Sequence, residues 1–125
     1  MRATAVVNLG TTTVAERRPW GSWEVLDVGP GYKLKRITVG PHSRLSLQTH
    51  VHRAEHWLVV VGLATCTVGE NQVRAGAGTY IFVPRGSVHR LANDQAEALI
   101  IIEAQVGRYT GEDDIVRLQD DYGRR

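Results

Sequence analysis

The chain has 125 residues, enough for one compact domain with a modest core and too few for two ordinary ones. Its composition, 42% hydrophobic and 22% charged, excludes a disordered chain. Fifteen Lys and Arg against thirteen Asp and Glu leave a formal charge of +2, too small to make nucleic acid the expected partner.

The N-terminal stretch "MRATAVVNLGTTTVAERR" contains no sustained apolar run, so neither a signal peptide nor a membrane span is expected. Residues 1–16 read as a partly ordered arm before a domain over 17–125. Cys66 is the only cysteine, which excludes an intrachain disulfide and a thiolate-rich zinc site and suits a reducing, cytoplasmic setting. From Trp20 onward, β-prone segments alternate with turn residues. "SWEVLDV" ends at Gly29-Pro30-Gly31, "YKLKRITV" ends at Gly40-Pro41, and "RLSLQTHVH" runs into Arg53-Ala54. "EHWLVVVGLATCTV" breaks at Gly62, "QVRAGAGTYIFV" stops at Pro84-Arg85-Gly86, "VHRLAN" turns at Asn93-Asp94, and "ALIIIEAQVGRY" follows. This spacing, with its Val, Ile, Thr and aromatic content, predicts an all-β sandwich or barrel. Only the tail "TGEDDIVRLQDDYGRR" departs from it. Thr110 as N-cap, acidic residues at the start and arginine near the end predict a short C-terminal helix.

The stretch "QTHVHRAEHW" holds three of the five histidines. Strand alternation places Gln48, His50 and His52 on one face, and a return of the chain after Arg53-Ala54 brings Glu55 beside them. His89, just past the Pro84-Arg85-Gly86 turn, offers a further ligand. Imidazole, amide and carboxylate donors together suit a borderline divalent ion. His42, beside Gly40-Pro41, reads as a surface histidine, and His56 faces away from Glu55.

"GPHSRLSLQTHVHRAEHWLVVVG" followed by "YIFVPRGSVHRL" resembles the two-part signature of the cupin superfamily of metal-holding β-barrels. More closely, "RPWGSWEVLD", "LKRITVGP", "LSLQTHVHRAEHW" and "GEDDIVR" resemble the C-terminal cupin domain of type II mannose-6-phosphate isomerases, over residues 17 to 124. That domain is usually fused behind a mannose-1-phosphate guanylyltransferase. No Gly-rich nucleotide-binding motif is present here, so guanylyl transfer is not expected of these residues. Small departures occur at His42, Leu63 and Thr79, and none removes a candidate ligand.

The resemblance implies a cupin (double-stranded β-helix) fold and interconversion of mannose 6-phosphate and fructose 6-phosphate through an enediolate. It also implies one divalent metal ion per chain (Zn, Mn, Co, Ni or Fe). The cupin spacing, applied as Gln48-x-His50, four residues, then Glu55, implies Gln48, His50, Glu55 and His89 as metal ligands, with His52 in reserve. Candidates for proton transfer or charge stabilisation are His52, Glu103 and Lys35. Glu103 shares a strand face with Leu99, Ile101 and Gln105; Lys35 shares one with Lys33 and Ile37. Arg53, Arg90 and Arg117 are candidates for the substrate phosphate. Alternation turns Arg90 away from His89, and Arg117 could instead pin the acidic tail. A non-catalytic sugar-binding cupin and an oxygen-dependent metal cupin are the competing readings. Apolar residues on both sides of "HWLVVVG" and "LIIIEA" predict a homodimer.

Overall fold

The computed structural model describes residues 4–8 and 12–123. Among these, thirteen strands follow in chain order: β1 (Thr4–Asn8), β2 (Thr12–Arg18), β3 (Gly21–Gly29), β4 (Tyr32–Val39), β5 (Ser43–Arg44), β6 (Leu47–Thr49), β7 (Arg53–Val61), β8 (Ala64–Val68), β9 (Asn71–Ala75), β10 (Tyr80–Val83), β11 (His89–Asn93), β12 (Leu99–Gly107) and β13 (Val116–Gln119). They form two antiparallel sheets, one ordered β1-β2-β3-β4-β12-β7-β10 and the other β13-β6-β11-β8-β9, with β5 paired to β11. Of the expected N-terminal arm, residues 1–3 and 9–11 lie outside the described residues. Its described parts form β1 and β2, which pair with each other and extend the larger sheet through β3.

Strand alternation sorts the interior into layers. Along β12, Leu99, Ile101, Glu103 and Gln105 point inward, and each has inward-facing partners on the flanking strands. Leu99 lies opposite Val39, and Ile101 lies between Ile37 and Val59. Glu103 lies between Lys35 and Trp57, and Gln105 between Lys33 and Glu55. The barrel is therefore apolar at one end and polar at the other, and the change falls between Ile101 and Glu103. The smaller sheet continues both zones, with Ala64, Cys66 and Leu91 in the apolar half and His89 in the polar half.

Ile101 has no exposed surface, and its removal leaves a hole that flanking strands cannot close. Ile101→Ala is expected to lower stability by about 3 kcal/mol in urea unfolding. At the apolar end, the buried Asn93 side chain replaces strand pairing. Its Nδ2 donates toward the carbonyls of Val39, Gly40 and Glu97, and its Oδ1 accepts from Gln95 N. His42 sits nearby with φ of 52°, a left-handed conformation that favours glycine.

The tail corrects the expectation of a C-terminal helix: no described residue there is helical, and Val116–Gln119 pairs with β6 instead. The carboxylates that would have favoured a helix start all have partners elsewhere. Glu112 bonds Lys33 and Lys35, Asp113 accepts from the Tyr109 hydroxyl, and Asp114 accepts from the amides of Val51 and His52. At the acidic run a single turn forms, closed by Asp114 N donating to Gly111 O. These contacts lay residues 109–115 across the polar end of the barrel.

Candidate metal centre

Between β6 and β7 the chain crosses from one sheet to the other in residues 50–52. Gly107 permits the crossing, because a Cβ there would stand 2.1 Å from His52 O and 2.8 Å from Arg53 Cα. Asp114 fixes it from the other side, its two carboxylate oxygens each 2.9 Å from the amides of Val51 and His52. Strand alternation does not survive this crossing. His50 turns inward and is buried, while His52 turns out, with its ring 6.0 Å from that of Tyr109, and does not line the cavity.

His50, Glu55 and His89 come together from β7, β11 and the crossing, each offering one ligand atom within 4.8 Å of the others. Both imidazoles are oriented by the main chain. His50 Nδ1 lies 2.6 Å from Asp114 O and His89 Nδ1 lies 3.0 Å from Ser87 O. A carbonyl can only accept, so both Nδ1 atoms carry protons and both Nε2 atoms face Glu55. His50 Nε2 stands 3.0 Å from Glu55 Oε2, and His89 Nε2 stands 3.6 Å from Glu55 Oε1. Imidazole nitrogens and carboxylate oxygens facing one another draw positive charge between or beside them. Arg53 supplies positive charge there, its Nη2 lying 2.9 Å from Glu55 Oε2 and 3.2 Å from His50 Nε2.

Burial alone would raise the Glu55 pKa, but the hydrogen bond to His50 and the charge of His89 hold it well below the carboxylate range. Burial lowers that of His89, against the pull of Glu55, so an incoming metal ion has a less tightly held proton to displace. Two imidazoles and an ionised carboxylate fit a divalent ion such as Zn, Mn, Fe, Co or Ni. Gln48 lies opposite His89 in register and lines the same cavity. Its Nε2 donates to Ser46 Oγ at 2.9 Å, so its amide oxygen is the atom suited to a cation.

Beside this group lies a second buried carboxyl. Trp57 Nε1 is 3.1 Å from both Glu55 Oε1 and Glu103 Oε2, and Gln105 Nε2 donates to Glu103 Oε1 at 2.8 Å. Burial, reinforced by the neighbouring Glu55 carboxylate, pushes the Glu103 pKa up to about 8. Glu103 thus holds a proton at neutral pH where Glu55 does not. The cavity both groups line has a volume of about 110 Å³ and is also bordered by Arg18, Lys35, Glu112 and Arg117.

The structure divides the other expected residues. Lys35, Arg53, Glu103 and Arg117 line the cavity. Arg90 does not: its guanidinium donates to Leu45 O and to the side chain and carbonyl of Gln119, and so fastens the tail to the barrel. His56 faces outward as expected, with Nδ1 2.6 Å from the Tyr80 hydroxyl. Sequence reasoning missed Arg18, Trp57, Glu112 and the structural role of Asp114. Inward alternation with Glu55 could have found Trp57.

Glu112 makes a pH prediction. Burial would raise its pKa, but Lys35 and then Lys33 hold it below the usual value of 4.5. A depressed carboxylate contributes stability that is full above the unfolded value and is lost as pH falls through the folded one. Wild type is therefore expected to lose stability on acidification below pH 4.5, with Glu112→Gln losing less over that window in thermal melts.

A β-barrel of two antiparallel sheets with an imidazole-carboxylate group inside its polar mouth is a cupin. Solved structures agree on the fold: a chain of oxalate decarboxylase matches with a TM-score of 0.71 and 21% identity, covering 82% of this chain and 29% of that one. A cupin-2 domain from Rhodospirillum rubrum matches at 0.67 and 20% identity, over 90% of this chain and 84% of that one. Residues 8–120 match the family described as mannose-6-phosphate isomerase C-terminal, and the chain belongs to that family. It is 51% identical over 107 residues to alginate biosynthesis protein AlgA of Pseudomonas aeruginosa. It is 50% identical to xanthan biosynthesis protein XanB of Xanthomonas campestris and 46% identical to a mannose-1-phosphate guanylyltransferase of Escherichia coli, over the same length. The matched segment is 86% of this chain but only 22–23% of those relatives' length.

Proposed function

We propose that the chain is a metal-dependent aldose-ketose isomerase that interconverts mannose 6-phosphate and fructose 6-phosphate. The observation that carries this reading is the grouping of His50, Glu55 and His89 at a cavity that Glu55 and His89 line together with Glu103, a second buried carboxyl that is free to carry a proton. Family membership and the polysaccharide-biosynthesis names of the relatives supply the substrate class. Gln48, His50, Glu55 and His89 would hold the ion, and when bound it supplies Lewis-acid polarisation of the sugar's carbonyl-hydroxyl pair.

The chain's own groups do the rest. Glu103 is the carboxyl in reach of the sugar that moves the proton between C1 and C2. Lys35, inward and beside Glu103 in register, adds positive charge to the polar end of the cavity. Arg53 and Arg117 border the cavity and add positive charge there. Trp57 orients both carboxyls at once through its single N–H.

The proposal includes a homodimer and a cytoplasmic setting. Outward-facing Leu58, Val60, Tyr80 and Phe82 are each 43–56% exposed, and β10 ends the larger sheet. A second copy pairing along β10 would cover both the edge and this apolar face. A monomer in light scattering would remove the dimer from this reading. Among the described residues, no helix is long and apolar enough to cross a membrane.

The function is tested by stripping metal, restoring Zn, Mn, Co or Ni, and following mannose 6-phosphate turnover beside a panel of other sugar phosphates. Turnover of mannose 6-phosphate with one of these ions supports the isomerase. Tight metal binding with no turnover of any sugar phosphate favours the competing reading, a non-catalytic sugar-binding cupin.

A further inference from the structure

The polar end of the barrel contains two ammonium groups that the metal centre does not use. Lys33 and Lys35 are the only lysines in the chain, and both converge on one oxygen. Glu112 Oε2 lies 3.0 Å from Lys33 Nζ and 2.8 Å from Lys35 Nζ. Lys33 Nζ also donates to Thr110 O at 2.5 Å, and Lys35 Nζ lies 4.0 Å from the centre of the Trp23 ring. The two sides of this clasp are built differently. The lysine side chains are 6% and 13% exposed and belong to a central strand, whereas the Glu112 side chain is 43% exposed and comes from a turn. Fixed, buried cations are met by an accessible anion.

We propose that Lys33 and Lys35 form the subsite for the phosphate monoester of the sugar substrate, and that Glu112 is a built-in competitor which that phosphate displaces. The inference rests on the sugar-phosphate reading above and assigns where the phosphate binds. Three observations carry it. A buried ammonium needs an anion, and a phosphate monoester brings about −1.5 to −2 charges and three acceptor oxygens where one carboxylate brings a single charge. Each ammonium has three N–H donors, so two of them can serve several phosphate oxygens at once. The placement also fits the substrate's length. Lys35 on β4 is separated from Glu55 on β7 only by β12, so the backbones lie roughly 10 Å apart at about 4.8 Å per strand. A six-carbon sugar whose C1 and C2 lie at the ligand group extends its C6 phosphate over a comparable span.

Arg18 and Arg117 border the same cavity and add positive charge. Release of Glu112 frees one of the ties that hold residues 109–115 across the barrel mouth. Other ties, among them Asp114 to the amides of Val51 and His52 and Arg53 to Gly111 O, stay in place.

The test is calorimetric titration of the full chain, without added metal, with inorganic phosphate as the probe. Glu112→Gln removes the competitor and keeps the shape, and it is expected to tighten phosphate binding about tenfold, while Lys33→Met weakens it by a similar factor. Asp113→Asn removes the same charge one residue away but leaves the clasp, and is expected to change affinity by less than about twofold. Lys35→Met is the second cation variant, with thermal melts to confirm folding. Because Lys35 is buried, Lys33→Met and Glu112→Gln decide the question if that variant unfolds. Unchanged or weaker phosphate binding in Glu112→Gln, or wild-type binding in Lys33→Met, overturns the subsite. An equal gain in Asp113→Asn and Glu112→Gln also overturns the competitor role, since only net charge would then matter. The outcome is independent of turnover: a phosphate response with no isomerase activity keeps the subsite and removes mannose 6-phosphate as the substrate.

Discussion

Replacing His50 by alanine is expected to reduce affinity for a divalent ion by more than about 100-fold, measured by competition with a metal-binding dye. Loss of an outer-shell partner alone costs about 10- to 100-fold, and the proposed ligand set includes His50, whose Nε2 faces Glu55 at 3.0 Å. The substitution does more than delete a donor. It removes the ring that ties the sheet crossing to Asp114 O and takes away one of the groups that keep Glu55 ionised. Arg53 then holds Glu55 without competition, since its Nε and Nη2 both reach Oε2. His52→Ala should leave metal affinity within about twofold, because that ring points away from the cavity and lies against Tyr109. Equal losses in the two variants would move the ligand from His50 to His52 and contradict the geometry.

Glu103→Gln is expected to lower turnover by about 10²- to 10⁴-fold with metal content unchanged. Glu103 is within the cavity and bonded to Trp57 and Gln105, but it is not among the three groups whose ligand atoms cluster. Glutamine keeps the size and can still accept from Trp57, so the fold and the ion should survive. The readouts are therefore separate: metal analysis reports the ligand set, and the rate reports the proton-transfer group. Full activity in this variant would pass the role to another residue and leave Glu103 as a partner that orients Trp57.

Regular strands were the legible part of the chain. On β12, alternation alone placed Leu99, Ile101, Glu103 and Gln105 inward, and on β4 it placed Lys35 and Ile37 with them. The same rule turned His56 outward toward Tyr80. It stopped working where the strand stopped: residues 50–52 change sheets, and His52 leaves the face it would have shared with His50. The tail was misread for a different reason. Its acidic residues look like a helix start locally, yet Glu112 pairs with lysines 77 and 79 positions away and Asp114 with amides more than 60 positions away, which no local pattern contains. Arg90 was placed on the right side of its strand, but its attachment to Gln119 depends on β13, an element the helical reading had removed. His42, read as a surface histidine, is exposed and occupies a left-handed turn position where glycine would cost nothing.

The central claim is that this cavity isomerises mannose 6-phosphate with the help of a divalent ion, and the most direct measurement is a coupled assay for fructose 6-phosphate on stripped and metal-restored protein, run beside His50→Ala. Activity restored by one or more of Zn, Mn, Co and Ni in wild type and absent in His50→Ala at every ion is the predicted result. Fructose 6-phosphate formed equally well by stripped protein, or none formed by fully metal-loaded wild type, would contradict it.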